Sequence, residues 1–148
     1  MARRSTEPTA LDLIRKQIRA VGLRATAARI SVMRELIAAT SPLSHAQVAD
    51  LLASESFDRA TIYRNLVELT EAGILARIEL GDHVWRFELR RSSGEVSGEH
   101  PHFVCVDCGE VSCLPSGSVS VKQVPAAKKS VIREVTEVLL KGHCGHCE

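Results

Sequence analysis

Two short cysteine pairs, Cys105-Val-Asp-Cys108 and Cys144-Gly-His-Cys147, constrain this chain more than any other feature. One CxxC turn can present two thiolates to an ion at about 2.3 Å, and two such turns complete a tetrahedron. The pairs stand 35 residues apart, so a shared ion ties two distant segments together. Gly109 follows the first pair and Gly145 lies within the second, as tight turns prefer. A redox dithiol normally opens a helix in a βαβ context, and that context is absent. The spacing predicts a closed Cys105/Cys108/Cys144/Cys147 zinc site. It contributes folding energy rather than catalysis, because four thiolates leave no open position.

The chain has 148 residues, enough for one ordinary domain or two small ones. A C-terminal unit of roughly 50 residues is marginal without a metal or a partner subunit. No apolar run approaches the roughly 20 residues that span a bilayer. The basic start Met1-Ala-Arg-Arg has no apolar stretch behind it, so a cytoplasmic protein without a membrane partner is expected. In a reducing cytosol, paired cysteines are more often metal ligands than disulfides.

Net charge is only +1, but residues 1–34 hold eight Lys/Arg against two acids, a local net of +6. A basic N-terminal stretch suits a phosphate-backbone binder; a solvated helix face is the alternative. Leu11, Ile14, Ile18 and Val21 recur at helical spacing, closed by Gly22. Thr26 caps a second helix carrying Ile30, Met33, Leu36 and Ile37. Ser44 and Gln47 form a capping box before Val48, Leu51 and Leu52. Asp58 caps a fourth helix with Ile62, Leu66 and Leu69, closed by Gly73. Two β-rich runs follow, Ile74–Leu80 and His83–Leu89, around a Gly81-Asp82 turn. Helices followed by a hairpin is the order of a winged helix-turn-helix, in which one helix enters the major groove.

Residues 90–99 lack any apolar period and read as a hinge. The expected units are therefore 1–89, a winged-helix DNA-binding domain, and 100–148, a small α/β dimerisation and metal-binding domain. The fold class is α+β. In the second unit, 103–106, 111–114 and 131–140 read as strands, while 118–129 is ambiguous.

A second donor set flanks the hinge. His100 and His102, at i and i+2 on an extended segment, point the same way. Glu88 ends the wing hairpin, and Cys113 lies five residues beyond Cys108. An ion held there would fix the angle between the two units. Glu88 facing solvent and Cys113 as a small buried hydrophobe are the plainer alternatives. His45 and His83 are expected to be exposed rather than liganding. His143 and His146 are expected to orient the second CxxC loop without binding.

Several segments together resemble the ferric uptake regulator superfamily of bacterial repressors. They are Gly22-Leu-Arg-Ala-Thr-Ala-Ala-Arg29, Ala60-Thr-Ile-Tyr-Arg-Asn-Leu66, Glu71-Ala-Gly-Ile-Leu75, Arg86-Phe-Glu-Leu89 and His100-Pro-His-Phe-Val-Cys-Val-Asp-Cys-Gly109. The resemblance runs from about Gly22 to Cys147. It implies a homodimer on a double-stranded DNA operator, with Arg24, Thr61, Tyr63 and Arg64 at DNA-contacting positions. It also implies structural Zn(2+) on the four cysteines, and a second, regulatory divalent metal, zinc or iron, on Glu88, His100 and His102. Pro42 stands where the family often places a further regulatory histidine, and Cys113 where it places the last carboxylate. The family's peripheral metal positions fall on Pro101, Ser120 and Thr136, none a convincing ligand. A thiolate in the regulatory set favours zinc. The expected function is a metal-dependent transcriptional repressor. The alternatives are a DNA-binding regulator indifferent to metal, and a zinc hydrolase built on His100, His102 and Glu88, for which no general base is evident.

Overall fold

The computed structural model describes residues 8–90, 100–120, 122, 135 and 137–147. Helix α1 spans Ala10–Ala20 behind a Thr9/Asp12 capping box. Helix α2, Ala27–Ala38, is capped by Thr26 as expected. Strand β1, Leu43–Ser44, leads directly into α3, His45–Leu51, through the Ser44/Gln47 capping box. Helix α4, Arg59–Glu71, opens on Asp58, whose carboxylate accepts the Thr61 N–H at 2.6 Å. Strands β2 (Leu75–Glu79) and β3 (Trp85–Leu89) form the wing.

The wing sheet has three strands, ordered β1-β3-β2 and wholly antiparallel. A two-strand hairpin was expected; β1 adds its short edge across a long sequence separation, with Leu43 opposite Phe87. The expected two-residue Gly81-Asp82 turn is also corrected. Residues 80–84 form a longer loop, with Gly81 and His83 both at positive φ. Glu79 supports it by accepting the N–H groups of Gly81 and His83. Across the loop's exit, Asp82 pairs with Arg86.

One core serves the helices and the wing: Ile14, Ile18, Val32, Met33, Val48, Leu52, Ile62, Leu66, Leu69, Leu75 and Phe87. The α1 stripe is narrower than its periodicity predicts. Ile14 and Ile18 are buried, but Leu11 and Val21 at its ends are exposed, as are Ile37 and Leu51.

The second sheet is ordered β5-β4-β6. Strand β4 (His102–Cys105) pairs antiparallel with β5 (Val111–Cys113) and parallel with β6 (Leu139–Gly142). Two expectations shift here. The strand read over 131–140 begins only at Leu139; Val135, Glu137 and Val138 are not strand, and 131–134 and 136 lie outside the described residues. Most of the ambiguous segment 118–129, and the hinge beyond Arg90, also lie outside them. Arg90 itself still donates its N–H to Ile74, extending the wing ladder.

Candidate metal centres and nucleic-acid interface

The first CxxC pair sits at the β4–β5 turn. Gly109 there adopts φ +71, a left-handed conformation that suits glycine, and donates its N–H to the Cys105 carbonyl. The second pair follows β6 directly, so the parallel β4–β6 pairing carries Cys144 and Cys147 to the same end of the sheet. Cys105 Sγ lies 4.0 Å from Cys147 Sγ, and Cys108 Sγ lies 3.9 Å from Cys144 Sγ. Four sulfurs about 2.3 Å from a central ion stand about 3.8 Å apart, so the cluster matches a tetrahedral zinc site. The Cys144 N–H points at Cys105 Sγ, 3.3 Å away. Backbone N–H groups, that of Cys108 foremost, bring the Cys105 thiol down to about 6. The sulfurs of Cys108 and Cys144 push Cys147 up to about 12. Four thiols this close cannot all ionise against one another, and a central cation removes that conflict.

His143 Nδ1 lies 2.6 Å from Asp107 Oδ2, which joins the two CxxC turns, in keeping with an orienting role. His146 is exposed and lies near Glu110 and Cys144, the last already a member of the four-cysteine cluster.

The second cluster combines Glu88, His100, His102 and Cys113. Along β3, Phe87 points into the core while Glu88 points out of the opposite face. His102 opens β4 directly opposite Cys113 on β5. The rings of His100 and His102 lie 4.5 Å apart. Glu88 Oε2 is 3.3 Å from His100 Nε2, 3.5 Å from His102 Nε2 and 3.9 Å from Cys113 Sγ. Oxygen and nitrogen donors about 2.0–2.1 Å from a tetrahedral ion stand roughly 3.4 Å apart, close to this spacing.

His102 supplies the test of fit. It is 0% exposed, and neither ring nitrogen has a hydrogen-bond partner among the described residues. Buried polar atoms are rarely left so, and a metal would satisfy one of them. Glu88 Oε2, 3.5 Å from His102 Nε2, is near enough for charge attraction. Burial pushes the His102 imidazole down, but Cys113 and Glu88 outweigh it and raise the group to about 9. Burial likewise pushes the Glu88 carboxyl up, and the two histidines more than offset it. The pocket thus attracts positive charge.

Two other histidines stay outside both clusters. His45 Nε2 contacts the Arg59 carbonyl at 2.8 Å, and its ring meets Tyr63 edge-on at 5.3 Å. His83 lies in the wing loop. Pro42 is buried beside β1.

On α4, Tyr63 and Arg64 are exposed while Ile62, Asn65 and Leu66 face the core. Thr61 is half-buried in the first turn, and Arg24 is exposed before α2. The basic N-terminal stretch is less available than its count suggests. Arg29 is 7% exposed and held by Asn65 Oδ1 at 3.0 Å, the Arg24 carbonyl at 2.8 Å and the Glu68 carboxylate. Arg34 pairs with Glu35 and Glu55, and Arg15 with Asp12. Lys16, Arg19 and Arg24 remain exposed cations there. The Arg29–Asn65–Glu68 network was not anticipated; the polar Asn65 between Ile62 and Leu66 was its one sequence signal.

A winged helix joined to a small sheet with two clusters of metal donors defines a class, that of metal-binding, DNA-binding regulators. The ferric uptake regulator family matches residues 20–139, and the chain belongs to that family. The ferric uptake regulation protein of Bordetella parapertussis is 30% identical over 138 residues, covering 89% of this chain and 94% of that one. Among solved structures, a zinc-bound manganese uptake regulator superposes with a TM-score of 0.67 at 21% identity, covering 88% of this chain and 98% of that one. A zinc uptake regulator complexed with zinc and DNA gives 0.56 at 18%, covering 94% and 95%. The chain is a metal-responsive transcriptional regulator, not an enzyme, which sets aside the hydrolase alternative. Among the described residues, no helix is long and apolar enough to cross a membrane.

Proposed function

We propose that the chain is a dimeric repressor whose operator affinity is set by zinc at Glu88, His100, His102 and Cys113. One observation carries this reading: Glu88 belongs to the wing sheet, whereas the other three donors belong to β4, β5 and the segment just before them. With all four on one ion, residues 1–89 and 100–148 are held in one arrangement out of several, which turns occupancy into a population shift. The cysteine cluster is a separate, permanent zinc site. Cys113 favours zinc over iron, since a thiolate is a softer donor than the oxygen ligands iron(II) accepts. A zinc uptake regulator solved with zinc and DNA shares this fold, as do regulators solved with manganese and with iron, so the preference for zinc rests on Cys113 alone.

In this reading α4 enters the major groove. Tyr63 contacts a thymine methyl, Arg64 a phosphate or guanine, Thr61 the backbone, and Arg24 the neighbouring groove. Two such helices on a homodimer read a palindromic operator. The test is metal content and operator affinity of full-length protein before and after a mild chelator. One ion that stays and one that leaves, with affinity falling as it leaves, is the expected result. His102→Ala abolishes the metal dependence and keeps the retained ion. Operator affinity that ignores metal refutes the sensor and leaves a regulator with structural zinc only.

A further inference from the structure

Cys113 is a donor in the proposed site, but its sulfur has a second chemistry that the other three donors lack. Cys113 is half-buried and borders two cavities. One, of 350 Å³, approaches from the side of Ile37, Leu89 and His100. The other, of 340 Å³, approaches from Pro42, Gln47 and Ser112. Each is several times the size of a two-oxygen solute. Opposite Cys113 stands the fully buried His102, without a hydrogen-bond partner among the described residues, so the sulfur belongs to a built site and not to a surface. The remaining four cysteines are gathered in the other cluster.

We propose that Cys113 is an oxidation site for hydroperoxides, and that its oxidation empties the Glu88/His100/His102/Cys113 site. The inference rests on that site binding metal. The thiolate attacks one peroxide oxygen; an S–O bond forms as the O–O bond breaks. Sulfur loses two electrons and becomes a sulfenic acid, and the other oxygen departs as water or an alcohol after taking a proton from solvent. The product is a poorer metal donor, and its added oxygen must fit among atoms 3.3–3.9 Å apart. Three donors remain, and the ion is released. No redox-active metal takes part, so the response operates with zinc. Thiol reductants reverse it, because a sulfenic acid is the reversible rung of cysteine oxidation.

The experiment uses full-length wild-type protein loaded with zinc. Zinc is counted first without peroxide. Limiting hydrogen peroxide is then added, released zinc is read with a chromophoric chelator, and in a parallel sample sulfenic acid is trapped with dimedone and located by mass spectrometry. The expected result is one zinc per chain released in step with an adduct on Cys113, and rebinding after reduction in the untrapped sample. Absence of the second zinc before peroxide overturns the site and this proposal together. Two ions beforehand, with zinc released and no adduct on Cys113, or an adduct on Cys113 with both ions retained, overturns the proposal alone.

Discussion

Replacing Arg29 by methionine separates the scaffold of the DNA-binding face from the face itself. Methionine keeps an aliphatic stem and removes the guanidinium, which serves Asn65, Glu68 and the Arg24 carbonyl together. Asn65 is buried, so its Oδ1 is left without a donor at a cost of about 1–3 kcal/mol. Glu68 is 37% exposed and rehydrates, so its lost ion pair adds no more than about 1 kcal/mol. The Arg24 carbonyl lies on an exposed residue and turns to water. The sum is about 1–4 kcal/mol of destabilisation. Arg29→Lys keeps charge and stem but reaches fewer acceptors at once, and falls between. Urea unfolding followed by far-ultraviolet circular dichroism at fixed zinc measures both. A methionine variant within about 0.5 kcal/mol of wild type, the range of ordinary surface changes, refutes the network as a structural element. Because Arg29 joins α4 to the loop bearing Arg24, operator affinity falls in both variants while zinc at the two clusters is unchanged.

Tyr63→Ala removes a side chain that is 46% exposed, so stability changes by less than about 1 kcal/mol while operator affinity drops about tenfold; calorimetry and gel-shift titration separate the two. Asp58 has its carboxyl held below the ordinary value of 3.8, chiefly by the Thr61 backbone N–H. Its contribution is therefore complete above that value and is lost as pH falls toward the depressed one. Asp58→Asn, which still caps, flattens that part of the stability–pH curve measured by urea unfolding. Stripping the four-cysteine zinc with a strong chelator releases β6 from β4, and hydrogen exchange at the amides of 139–142 then rises far more than at α4.

The parts of this fold legible in the sequence are those set by local chemistry. Thr26, Ser44 with Gln47, and Asp58 all cap helices, because a cap needs only a side-chain oxygen and an N–H three residues on. The cysteine cluster follows from spacing. What escaped depends on distant partners. Strand β1 exists because Leu43 meets Phe87, and two residues leave no period to read. Arg29 counts as a surface charge until Asn65 and Glu68 are brought beside it. The sequence places Cys113 with Glu88, His100 and His102, but that it stands directly opposite His102 is set by the register between β4 and β5. The wing turn misread for a similar reason: Glu79 organises a longer loop through side-chain acceptance.

Strand β4 carries His102 at one end and Cys105 at the other. Three residue steps along a strand amount to about 10 Å, so the two clusters share one short rigid bar. If the Glu88/His100/His102/Cys113 cluster is the sensor proposed above, loss of the four-thiolate anchor also loosens His102 from Glu88. Damage to the anchor would then read, at the operator, the same as starvation for metal.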